Sequence, residues 1–220
     1  MPRSHAMLSI SDDFARVLDG LAPARLVRRG APPGDPGAEL SHTLSRELGR
    51  ADAAATEGHL AACDTLWSLT AAEVNEPPAP GDVIVDSAGT RHTILEVRGL
   101  RLASVWQCRT RNLVLAHGLD TAVAVLAANF EPGSHGSLIA TWTEWLADVP
   151  ARVQPVAVVG KADADSRETI ARFDVYLIDV PPLSPCHRIR TADGTLYQVL
   201  GFRPATRLAE AHVAETEICE

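Results

Sequence analysis

The chain has 220 residues, 46% of them hydrophobic and 22% charged, with a formal net charge of -8. That balance is the one expected of a globular protein of one large or two small domains. The acidic total argues against a general nucleic-acid surface, and no run approaches the roughly 20 apolar residues that a membrane-spanning helix needs. Of the 20 basic residues only Lys161 is a lysine. Cys63, Cys108, Cys186 and Cys219 are widely spaced, with no CxxC pair and no disulfide framework, as expected of thiols in a reducing compartment. Met1–Gly20 lacks the apolar core of a signal peptide, so synthesis in the cytoplasm is expected.

Taken in order, the chain first shows Ser11 before Asp12-Asp13, with Phe14, Val17, Leu18 and Leu21 at helical spacing. This predicts a short capped helix over residues 12–19. Ala24–Arg29 and Glu39–Glu47 read as strands on either side of the loop Ala31–Gly37. Arg50–Gly58 is either a helical turn or the tip of a long hairpin. His59–Leu69 reads as a strand with Trp67 facing inward, and Glu76–Gly81 (EPPAPG) breaks the chain.

Gly81–Arg98 (GDVIVDSAGTRHTILEVR) then predicts a hairpin of Asp82–Asp86 and Arg91–Arg98 around a turn ending at Gly89. Ser104–Leu115 reads as the last strand of the first half, ended by His117-Gly118.

The second half repeats this order. Ala122–Ala128 is a strand and Glu131–Gly136 a loop; Trp142 and Trp145 precede a strand over Ala151–Val159, where Pro155 marks an edge or bulge. Gly160–Ser166 reads as a loop. Thr169–Asp179 reads as a strand with Ala171, Phe173, Val175 and Leu177 on one face. Val180–Pro185 (VPPLSP) is the second proline break, and Glu210–Ile218 is the closing strand.

Between these last two lies an echo of the first hairpin. In His187–Arg203 (HRIRTADGTLYQVLGFR), aligning Gly194 with Gly89 places Ile189 on Ile84, Leu200 on Leu95 and Arg203 on Arg98. Arg207-Leu208-Ala209 follows as Arg101-Leu102-Ala103 does in the first half. The expectation is a mainly β protein: two tandem small antiparallel β-barrel or sandwich domains, over residues 1–118 and 119–220, after a short N-terminal helix. A single mixed β-sandwich is the alternative.

Motifs for chemistry are absent. Gly160-Lys161 lacks the rest of a phosphate loop, and Gly133-Ser134-His135-Gly136 is no nucleophile elbow. The eight histidines form no metal-ligand spacing, and Cys186-His187, adjacent on a strand, point to opposite faces. No catalytic residue, metal or cofactor is therefore assigned. Gly89 and Gly194 are read as structural turn positions. Arg188 and Arg190 share one strand face, as a salt-bridging surface or a partner contact. Trp142 and Trp145 either pack a barrel end or anchor an interface. These four are the candidate interface residues.

With those residues placed, the second half resembles a known family. Trp142–Pro155 ends in Ala-x-Val-Gln-Pro. A variable stretch with Arg167 and Thr169 follows, then the Phe-x-Val-x-Leu strand Phe173–Leu177. The hairpin Arg188–Val199 reads Arg-Ile-x-x-x-Asp-Gly-x-x-Tyr-x-Val. This order resembles the head–tail joining (head-completion or connector) proteins of tailed bacteriophages and prophages. The resemblance implies a small β-barrel that assembles into a ring between portal and tail, is not an enzyme, and resides in the virion.

Its partners would be further copies of itself and portal and tail proteins, with passive contact with DNA in a channel and no membrane. The variable stretch Gly160–Ser166, and by analogy Arg50–Gly58, would reach the ring lumen or a neighbour. The first half, with its own hairpin, is an addition to that pattern. Two readings of other classes stand beside it: a bacterial β-barrel binding module for a peptide or small ligand, and a metal-dependent hydrolase with a site dispersed in sequence.

Overall fold

The computed structural model describes residues 20–32, 34–49, 51, 61, 63–100, 104–132, 137–163 and 166–219. The helix expected over 12–19 lies outside these residues. So do Arg101-Leu102-Ala103 of the echo and, apart from Ala51, the stretch Arg50–Gly58.

The protein is two closed six-stranded antiparallel barrels in tandem, not a single sandwich. The chain divides into the compact units Met1–Ala116 and His117–Glu220. Barrel 1 comprises β1 (Ala22–Val27), β2 (Ala38–Glu47), β3 (Asp64–Thr70), β4 (Val83–Val85), β5 (Arg91–Gly99) and β6 (Val105–Arg111). Barrel 2 comprises β7 (Thr121–Pro132), β8 (Leu138–Asp163), β9 (Ser166–Leu177), β10 (His187–Thr191), β11 (Leu196–Arg203) and β12 (His212–Cys219). The closed order is β1-β2-β3-β6-β5-β4 in one and β7-β8-β9-β12-β11-β10 in the other, so the two barrels share one topology.

Alternation along each strand explains the interiors. In barrel 1 Leu26, Leu40, Trp67, Leu69, Ile84, Ile94 and Cys108 form the core. In barrel 2 the core holds Val125, Ala151, Val175, Leu177, Ile189 and Val199. Ile84 and Ile189, aligned by the repeated hairpin, are both fully buried, as are Ile94 and Val199. Leu95 and Leu200 match in sequence but lie outside both cores, and Leu200 is exposed. What the repeat preserves is therefore the inward-facing set.

The hairpin turns are equivalent in detail. The Gly89 N–H donates to Asp86 O, and Gly194 N–H to Thr191 O, each at 3.0 Å. Asp86 N–H donates to Thr90 O, and Thr191 N–H to Thr195 O, also at 3.0 Å. Gly89 stands at φ +86° and Gly194 at +89°, the left-handed region such three-residue loops require.

Four expectations are corrected. The strand expected to Leu115 ends at Arg111. Asn112 then caps a short helix, α1 (Leu113–His117), its Oδ1 accepting the Leu115 N–H at 3.1 Å. Gly160–Ser166 is largely strand: β8 runs to Asp163 and β9 begins at Ser166, with Gly160 paired to Thr169. A two-stranded ribbon satisfies backbone groups across its own ladder, so it needs no apolar alternation to form.

Glu131 and Pro132, expected in a loop, extend β7, paired with Ile139 and Leu138. For the same reason Trp142 and Trp145 lie within β8, rather than ahead of a strand. β8 is 26 residues long and bends through bulges. The register shifts at Trp145, at Ala147-Asp148 with Asp148 at φ +52°, and at Val156 beside the anticipated Pro155.

Candidate assembly surface

The structure brings the four candidate interface residues together on barrel 2. Ile189 of β10 points into the core of barrel 2, so its neighbours Arg188 and Arg190 point outward. The Arg188 guanidinium lies 4.1 Å from the Trp142 ring centroid, a cation–π contact across β7. Its Nε donates to Gln198 Oε1 at 3.1 Å, and the Gln198 amide donates to Pro185 O at 2.6 Å.

Arg190 donates to Glu144 Oε2 at 2.6 Å, an exposed ion pair. Trp145, the extra residue at a bulge, is 43% exposed and sits with its ring 5.0 Å from that of His187. His187 Nδ1 accepts the Ser184 N–H at 3.0 Å, which fixes the ring. Neither tryptophan belongs to the barrel core.

Below this cluster the β7–β8 hairpin continues as an arm. Pairing of β10 with β7 stops at Ala127, and pairing of β9 with β8 starts at Ala151. Among the described residues Asn129–Pro132 and Leu138–Thr141 therefore pair only with each other, and Trp142–Val149 pair only with β7. Facing pairs share a side of a sheet. Ala128 faces Trp142, Phe130 faces Ala140 and Pro132 faces Leu138, so one side of the arm is wholly apolar.

The other side carries Asn129 with Thr141 and Glu131 with Ile139, and Asn129 Nδ2 donates to Thr143 Oγ1 at 3.0 Å. Phe130 is 53% exposed and Leu138 69%. The apolar side leads directly onto Trp142 and its arginine. Sequence reading missed it because the arm's alternation is interrupted by the loop-like Glu131–Gly136.

Gly89 and Gly194 are turn positions, and a Cβ at either would meet nothing within 4 Å. Two buried carboxylates that the sequence left unremarked brace barrel 1. Asp64 accepts from Arg111 Nε at 2.6 Å, Arg109 at 3.2 Å and the Ala61 N–H at 3.1 Å. Burial alone would raise its pKa, but these donors outweigh burial and hold it below the usual value.

Asp82 accepts from Arg28 at 2.8 Å and from the Arg29 and Ala79 N–H groups at 2.9 Å. It locks the proline break onto the end of β1. Arg109 and Arg111 alternate along β6, a period-two signal that could have marked them as one face. Cys108 is buried, and desolvation pushes its thiol pKa up to about 12, so it is an inert core residue.

Among the described residues no cluster of three or more His, Cys, Asp or Glu side chains could hold a metal ion. Nor is any described helix long and apolar enough to cross a membrane. A groove of about 620 Å³ on barrel 1 is lined by Arg25, Glu39, Ser41, Asp86 and Gly89, among others. Compared with known proteins, the chain matches no protein-family model and no curated protein.

Proposed function

We propose that the chain is a structural protein of a phage or prophage neck, a head–tail connector that acts by self-assembly and by docking between portal and tail. The observation that carries this reading is the gathering of Trp142, Trp145, Arg188 and Arg190 beside an exposed apolar arm on one barrel. Aromatic and arginine side chains at the edge of an apolar surface have the composition of a protein contact. The same residues fall within the ordered pattern Trp142–Val199 that resembles head–tail joining proteins. A net charge of -8 suits a channel wall that DNA passes without being gripped.

Mass measurement of the purified chain, alone and with a phage portal ring, tests the proposal. An oligomer that captures the portal ring is expected; a strict monomer that binds no virion component overturns it.

A second reading, a β-barrel module that binds a small ligand or peptide, is favoured by the groove on barrel 1. There Arg25 and Glu39 offer opposite charges beside the apolar Leu40. Loss of ligand-induced stabilisation in an Arg25→Ala variant would support this second reading.

A further inference from the structure

We infer that the apolar face of the β7–β8 arm is where copies of this chain meet, each arm seating against a second copy. The inference rests on the self-assembly part of the connector reading and names the surface that performs it. An isolated two-stranded ribbon is marginal in water, and an amphipathic one gains stability when its apolar side is covered. Here that side runs from Pro132 and Leu138 through Phe130 and Ala140 to Ala128 and Trp142. Phe130 and Leu138 are more than half exposed.

Charge selects the occupant. A second copy carries a net charge of -8, so copies repel wherever acidic surfaces meet. Along the arm face the one acid is Glu144, which Arg190 neutralises, and the face ends on the Arg188 guanidinium over Trp142. This surface therefore meets an acidic copy without repulsion and with one net positive charge, that of Arg188, at its base. Nucleic acid fits poorly, because among the described residues the outer part of the face, Phe130, Pro132, Leu138 and Ala140, carries no cation for phosphates. Among the described residues the edge of Leu138–Val149 away from β7 has no strand partner, so it adds main-chain hydrogen bonding to the contact with a strand of the neighbouring copy.

The test uses the full chain at micromolar concentration, with native mass measured for wild type and variants. Wild type is expected to be oligomeric. Phe130→Glu with Leu138→Glu should weaken the association at least about 100-fold, since two charges would then have to be desolvated at its centre. Both side chains lie outside the barrel closure, so the circular dichroism of the double variant should match wild type, with melting lowered only by the lost association. Thr141→Glu, on the polar side, should leave the mass unchanged.

A monomeric wild type, or a double variant that keeps the oligomeric mass, overturns the inference. Portal capture separates it from the connector reading. An oligomer that dissociates with the arm variant but ignores the portal ring supports the arm contact and counts against the connector. A variant that stays oligomeric and loses only portal capture makes the portal the occupant and overturns the arm contact between copies.

Discussion

Barrels 1 and 2 share a strand order and a turn but are stabilised in different ways. Barrel 1 has short strands and a partly polar interior: Thr43, Asp64, Asp82, His92 and Thr110 are all buried. Among the described residues of barrel 2 only Thr216 is both polar and buried. In barrel 1 the link between β1 and β2 is the short stretch from Arg28 to Gly37, tied down by Asp82. In barrel 2 the equivalent link is the arm, and its polar and apolar sides both face outward.

The comparison teaches that the closed ladder sets the topology while the filling can vary. A barrel holding ionised groups must satisfy each of them; among the described residues the buried atoms without a hydrogen-bond partner are Trp67 Nε1 and His92 Nδ1 in barrel 1 and Arg152 Nε in barrel 2. Barrel 2 has a more apolar interior and carries its exposed apolar surface outside the closure.

The largest break in this contrast should come from Asp64. Replacing it with Ala removes the carboxylate that pairs Arg111, and a broken buried pair costs about 3–5 kcal/mol. Urea unfolding followed by Trp67, with the other tryptophans replaced by Phe, should show that loss in barrel 1. A shift below about 1 kcal/mol would mean that the polar interior contributes little net stability.

A smaller effect should make the barrels look alike again. Gly89→Val and Gly194→Val meet no steric neighbour, so each costs only the left-handed backbone, about 1–2 kcal/mol. Equal losses in thermal unfolding support the equivalence of the turns. An unchanged melting temperature for either variant would show that its turn is not held in that conformation.

The smallest effect separates the barrels by pH. His212 in barrel 2 is desolvated, which lowers its pKa below 6.5, and its Nδ1 accepts the Ala205 N–H at 3.0 Å. Its stabilisation is complete above the unfolded value of about 6.5 and is lost as pH falls through the lower folded value. Asp64 behaves alike at lower pH: its contribution is complete above the unfolded value near 3.8 and is lost only as pH falls through its depressed folded value. Mild acid should therefore weaken barrel 2 first and strong acid barrel 1, as read by tryptophan fluorescence from each. His212→Gln should remove the mild-acid step; its persistence would assign that step elsewhere.

The chain by itself determined the repeated hairpin and the positions of most strands. A turn glycine between alternating β-branched residues is a local signal that needs no distant partner. Ile84 and Ile189 were legible as equivalents for the same reason. The arm was not, because the loop-like Glu131–Gly136 interrupts its alternation. Leu113–His117 was apolar enough to pass as a strand until the Asn112 side chain capped it.

Tertiary structure alone decided which residues meet. Trp142 and Arg188 are 46 positions apart in the chain, and Asp64 and Arg111 are 47. Register across β7 joins the first pair and the β3–β6 ladder the second. Register is a property of paired backbones, set by how each barrel closes, and no single strand carries it.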